Sequence, residues 1–211
     1  MKVKSSEHDL KVRAVVFDLD GVIRDWDVDD QSDVEVRHGL PVGSILNAAM
    51  TGSSIADVTT GVISDEQWRE GLAADLARRY GDSALAAVAE WSEQRGAVKR
   101  DVLDYAQELR SNLTIAILTN NSSRLVQDLE VLELTESFDY VFNSAQIGVA
   151  KPHQDVYVHV SRQLGLTFQE WLFVDDSLEN VQGARSVGAR AHHFSNLVEL
   201  RTWVEAQMTR S

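Results

Sequence analysis

Five short apolar runs, at residues 12–17, 113–119, 140–142, 171–174 and 189–194, punctuate the chain. Each is too short for a helix, and several are rich in β-branched or aromatic residues, as expected of strands buried on both faces. Between them lie segments with helical spacing: Val98, Val102, Ala106 and Leu109; Leu125, Leu129 and Leu132; Val156, Val160 and Leu164; Val181, Ala184 and Val187. Strand and helix in alternation predict an α/β fold, a doubly wound parallel sheet with helices on its faces. Residues 28–96 interrupt the alternation. They carry helical spacing (Trp68, Leu72, Leu76; Leu85, Val88) and no strand signal, and so predict an inserted α-helical domain, leaving 1–27 and 97–211 as the α/β core.

The 211 residues are 44% hydrophobic and 25% charged, enough to bury a sizeable core. With 20 basic and 33 acidic residues the net charge is −13, which gives no electrostatic reason to expect nucleic acid or an anionic membrane as partner. The insert is the most acidic part for its length, with 12 acidic against 5 basic residues. Cysteine is absent, which excludes disulfides, thiolate nucleophiles and iron–sulfur clusters. The basic N-terminus leads into an apolar stretch of only residues 14–17, too short for a signal segment, and no window approaches a membrane span. A cytoplasmic protein is the expectation.

In an open parallel sheet the ligand site lies beyond the carboxyl ends of the strands. Here those ends are polar: Asp18 and Asp20 after the first run, Thr119 and Asn120 after the second, Asp175 and Asp176 after the fourth, with Lys151 in the connection after the third. Carboxylates converging from two strand ends repel one another unless a cation sits among them, and an all-oxygen set suits Mg2+. Thr119, followed by Asn120-Asn121-Ser122-Ser123, offers a hydroxyl and helix-start amides to an anion, and Lys151 adds a compact positive charge. Gly21 permits a tight turn directly after Asp20.

The set Asp18-Leu19-Asp20-Gly21-Val22, Thr119, Lys151-Pro152 and Val174-Asp175-Asp176-Ser177 resembles the four ordered motifs of the haloacid dehalogenase superfamily. Residues 28–96 resemble the small helical cap that one branch carries between its first two motifs, and the paired aspartates of the last motif resemble those of its small-metabolite phosphatases. The resemblance implies a Rossmann-like core and a Mg2+-dependent phosphatase acting on a small phosphorylated metabolite. It implies Asp18 as nucleophile and metal ligand, and Asp20 as acid and base whose backbone carbonyl also binds the metal. Thr119, the amide of Asn120 and Lys151 would hold the phosphate, Asp176 would be the third metal ligand, and Asp175 would support Lys151. Dehalogenases of this fold lack a carboxylate two residues after the nucleophile, so Asp20 speaks against dehalogenation.

A sugar phosphomutase using the same residues and a non-catalytic phosphate-binding or signalling protein are the alternatives. Receiver domains place the acidic pair first and lysine last, opposite to the order here. His192 and His193 adjoin on a strand and so point to opposite faces, which does not favour joint metal ligation. Arg24, Trp26, Arg37 and His38 are candidates for substrate contact whose positions over the site do not follow from the sequence.

Overall fold

The computed structural model describes residues 11–52 and 54–209; of the basic N-terminal stretch, Lys2 and Lys4 lie outside the described residues. The chain runs β1 (Ala14–Phe17), β2 (Arg24–Asp25), α1 (Val28–Arg37), α2 (Ser44–Thr51), α3 (Ser54–Thr59), α4 (Asp65–Tyr80), α5 (Ser83–Trp91) and β3 (Ala97–Val98). It continues through α6 (Arg100–Arg110), β4 (Thr114–Thr119), α7 (Leu125–Val131), β5 (Tyr140–Asn143), α8 (Ser144–Ile147) and α9 (Gln154–Leu164). It closes with β6 (Trp171–Asp175), α10 (Leu178–Ser186), β7 (Arg190–His193) and α11 (Leu197–Met208).

All five apolar runs are strands of one parallel sheet, ordered β5-β4-β1-β6-β7. The central strand β1 pairs with β4 on one side and β6 on the other, and the period of two sends its side chains alternately to two cores. Val15 and Phe17 join Ile115, Ile117, Leu172 and Val174 beneath α6, α7 and α11. Ala14 and Val16 join Ala116, Leu118, Trp171 and Phe173 beneath α9 and α10. Every β1 side chain is fully buried, each large one contributing about 1.5–3 kcal/mol. Such a strand offers no polar position until it ends, at Asp18.

The segment between β2 and β3 is helical and has a core of its own, with Val34, Ile45, Trp68, Leu72, Leu76 and Val88 buried together. Helix α4 starts on a capping box, Ser64 accepting from the Gln67 amide while the Gln67 side chain accepts from the Ser64 amide. Val88 faces inward as expected, but Leu85, expected beside it on the apolar stripe of α5, is 48% exposed; Ala84 and Ala87 face inward instead, small side chains that let α4 and α5 approach closely. The short antiparallel pair β2–β3 forms the two stems of this segment. Val98, expected on a helix, lies in β3, and the helix starts two residues later. No helix among the described residues is long and apolar enough to cross a membrane.

Candidate active site

Parallel pairing in register brings Asp18, Thr119 and Asp175 to the same edge of the sheet, each as the last residue of its strand or the one after it. Lys151 enters from the connection between α8 and α9, and its ammonium lies 2.7 Å from Asp18 Oδ1 and 2.8 Å from Asp175 Oδ2. The position is fixed from several directions. Asn120 Nδ2 donates to the Lys151 carbonyl and Asn120 Oδ1 accepts from the Lys151 amide, each at 2.8 Å. Pro152, next in the chain, packs on Gly183 of α10 so closely that a Cβ there would lie 2.6 Å from the Pro152 carbonyl oxygen. Asp175 is held in turn by the Ser177 amide at 2.8 Å and by Asn180 Nδ2, 3.1 Å from both carboxylate oxygens.

Asp18, Asp175 and Asp176 each offer one oxygen within 4.8 Å of the others. Asp176 leans over the turn after β1, where Gly21 adopts φ +80°. Burial pushes the Asp18 carboxyl up to about 7; Lys151 pulls it down, and Asp175 adds to the rise. Burial and then Asp175 likewise raise Asp176. Lys151 loses solvation through burial, but Asp18 and Asp175 outweigh that and hold its ammonium above the ordinary value. Three crowded carboxylates facing one ammonium leave a deficit of positive charge, and an oxygen donor set of this kind fits a hard divalent cation.

The side chain of Asp20 stands apart from this group. It accepts from Arg24 Nε at 2.6 Å, Arg24 Nη2 at 3.0 Å and Trp26 Nε1 at 2.7 Å. Arg24 is 1% exposed and also donates to Asp128 Oδ2 at 3.2 Å. Burial disfavours its charge, but Asp20 and Asp128 overcome this and raise it above its ordinary value. Asp175, expected only to support Lys151, both does so and joins the carboxylate group.

Thr119 is buried at the end of β4. The loop after Asn120 does not present the expected row of free amides, because Asn121 N donates to Ser144 Oγ, Ser122 N to Asn121 Oδ1 and Arg124 N to Ser122 Oγ. Of the four candidates for substrate contact, Arg24 and Trp26 hold Asp20, while Arg37 and His38 pair with Glu90 within the helical segment. His192 stacks on Trp203, and His193 Nε2 lies 2.8 Å from the Asp176 carbonyl. Asp128 and the Asn120 side chain escaped the sequence reading, since each acts on a partner distant in the chain; Asn180 acts on Asp175 only five residues before it.

Residues 12–188 match the haloacid dehalogenase-like hydrolase family. A Mycobacterium tuberculosis protein described as a phosphatase is 32% identical over 194 residues, 87% of each chain. Among solved structures, a haloacid dehalogenase family enzyme of Bacteroides thetaiotaomicron, crystallised with magnesium and inorganic phosphate, superposes with a TM-score of 0.70 at 18% identity, over 90% of this chain and 98% of the other. An L-2-haloacid dehalogenase of Xanthobacter autotrophicus superposes at 0.63 with 29% identity, over 93% and 84%. With the carboxylates and Lys151 gathered at one edge of the sheet, these likenesses identify the chain as an enzyme of the haloacid dehalogenase-like hydrolase family.

Proposed function

We propose that the chain is a magnesium-dependent phosphatase that hydrolyses a small phosphomonoester through an aspartyl-phosphate on Asp18. The observation that carries this is the group of Asp18, Asp175 and Asp176 at the sheet edge, the first two buried against Lys151 and the third exposed beside them. Asp18, Asp176 and the Asp20 carbonyl would hold magnesium, with Asp175 alongside, and the bound ion would supply the positive charge that lets a phosphate dianion approach these carboxylates. The phosphatase description of the mycobacterial relative and the magnesium and phosphate in the Bacteroides enzyme support the same chemistry.

In the first step an Asp18 carboxylate oxygen bonds to phosphorus as the bond to the leaving oxygen breaks, and Asp20 gives that oxygen a proton. In the second, water attacks phosphorus, Asp20 takes the proton, and the Asp18–phosphorus bond breaks to release phosphate. Thr119 and the Asn120 amide hold the phosphoryl oxygens, and Lys151 balances the charge on nucleophile and phosphate. The helical segment 28–96 serves as a cap, closing over a small substrate and excluding water. Its attachment beside the phosphate loop supports that role: the Asp65 amide donates to Ser123 Oγ at 3.1 Å, and Ser122 Oγ donates to Asp65 Oδ1 at 2.7 Å. The carboxylate of Asp20 favours phosphate hydrolysis over the dehalogenation named for the Xanthobacter structure. Phosphate release from a panel of phosphorylated metabolites, with magnesium and with chelator, tests the assignment.

A further inference from the structure

We infer that Arg24 is a positioning residue for Asp20, aided by Trp26 and anchored from behind by Asp128. The inference rests on the phosphatase assignment but adds Arg24, Trp26 and Asp128, which that assignment does not use. Asp20 is partly exposed at the site, and a short carboxylate side chain there has free rotamers unless something holds it. What holds it is a fork. Arg24 Nε and Nη2 each reach a different Asp20 oxygen, at 2.6 and 3.0 Å, and the Trp26 indole adds a third donor at 2.7 Å. Paired N–H donors on both oxygens fix the plane of a carboxylate as well as its place.

The fork is itself immobilised. Arg24 is 1% exposed, its guanidinium lies 4.7 Å from the centre of the Trp26 ring, and Nη1 reaches Asp128 Oδ2 at 3.2 Å. Asp128 on α7 also meets Arg95 at 3.1 Å and Arg124 at 3.3 Å. Arg24 lies in β2 and Arg95 just before β3, so one buried carboxylate ties both stems of the helical segment to the core. Asp20 thereby takes its orientation from the junction of the two parts of the molecule. A buried arginine bound to two carboxylates at this junction has no packing advantage over an aliphatic residue, whereas fixing Asp20 apart from Asp18, Asp175 and Asp176 gives it a purpose.

The consequence is specific to leaving groups that need a proton. When Asp18 bonds to phosphorus, an alkoxide must leave with a proton from Asp20, whereas acetate leaves acetyl phosphate carrying the bond's electron pair and needs none. The ratio kcat/KM covers this first transfer and excludes breakdown of the aspartyl-phosphate, so it isolates the Asp20 donor role. The full chain with magnesium is assayed on acetyl phosphate and on a panel of alkyl phosphates, alongside Arg24→Met, Arg24→Lys and Trp26→Phe. For the best alkyl phosphate, kcat/KM is expected to fall about 100-fold in Arg24→Met and about tenfold in Trp26→Phe, with partial recovery in Arg24→Lys. For acetyl phosphate it is expected to change less than about threefold.

Equal losses on both substrates, or no loss in a folded Arg24→Met, overturn the positioning role while leaving the phosphatase assignment intact. Trp26→Phe removes one donor from a partly exposed side chain, so it decides the matter if Arg24→Met does not fold. Unmutated protein active on acetyl phosphate alone also overturns it, because Asp20 so held would be serving no leaving oxygen. Failure on every substrate overturns the phosphatase assignment itself.

Discussion

Asp176 lies so close over the turn after β1 that a Cβ on Gly21 would fall 2.0 Å from its Oδ2. Gly21 also holds φ +80°, where an L side chain costs about 1–2 kcal/mol. The unmutated protein is expected to gain Tm with magnesium, and Gly21→Ala is expected to displace the Asp176 carboxylate and abolish that gain. Phosphatase activity should fall more than about 100-fold, as displacements near 1 Å can cost. Thermal melts with and without magnesium check this; an unchanged magnesium shift contradicts it.

Lys151 neutralises two buried carboxylates. Lys151→Met leaves Asp18 and Asp175 facing each other, and breaking a buried pair costs about 3–5 kcal/mol. The metal-free variant should unfold at markedly lower urea than the unmutated protein, and adding Asp175→Asn should recover part of the loss. Urea midpoints at a common pH decide it; a single variant as stable as the parent would contradict the charge balance described for the site.

Gly183 lets α10 lie against Pro152. Gly183→Ala places a Cβ 2.6 Å from the Pro152 carbonyl oxygen, and overpacking of this kind costs about 1–3 kcal/mol. Because Pro152 follows Lys151, kcat should drop along with Tm, although no side chain at the site has changed. Loss of stability with full kcat would show that the Lys151 loop adjusts independently of α10.

Asp139 offers a pH signature away from the site. Burial works against its charge, but the Ile115 amide and Arg110 prevail and hold its carboxyl below the ordinary value of 3.8. A folded value below the unfolded one means that the ionised group stabilises the fold above about pH 4, and that this contribution disappears as pH falls through the folded value. Asp139→Asn should thus be less stable than the parent at pH 6, the gap narrowing toward pH 3. Urea melts across that range test the sign.

Much of this molecule can be read from its sequence because the buried strands leave continuous apolar runs. β1 shows no polar residue from Ala14 to Phe17, so Asp18 and Asp20 mark its end and the edge of the site. Lys151 lies in a connection rather than at a strand end, so its association with Asp175, 24 positions on, follows from the resemblance of the ordered motifs and not from strand ends. Arg24 and Asp128 could not be associated from the sequence: they are 104 residues apart, and β2 is two residues long, too short for any periodicity. The exposure of Leu85 was hidden for another reason, since alanines pack as well as leucines where helices approach closely, and spacing alone does not say which face is buried.

The most direct measurement is mass spectrometry of the protein quenched in acid during turnover of a phosphomonoester, with and without magnesium. A phosphoryl group should be trapped on Asp18 when magnesium is present, with no trapping and no hydrolysis in Asp18→Asn. Phosphate release that survives Asp18→Asn, or that proceeds undiminished in chelator, would contradict covalent catalysis at this site.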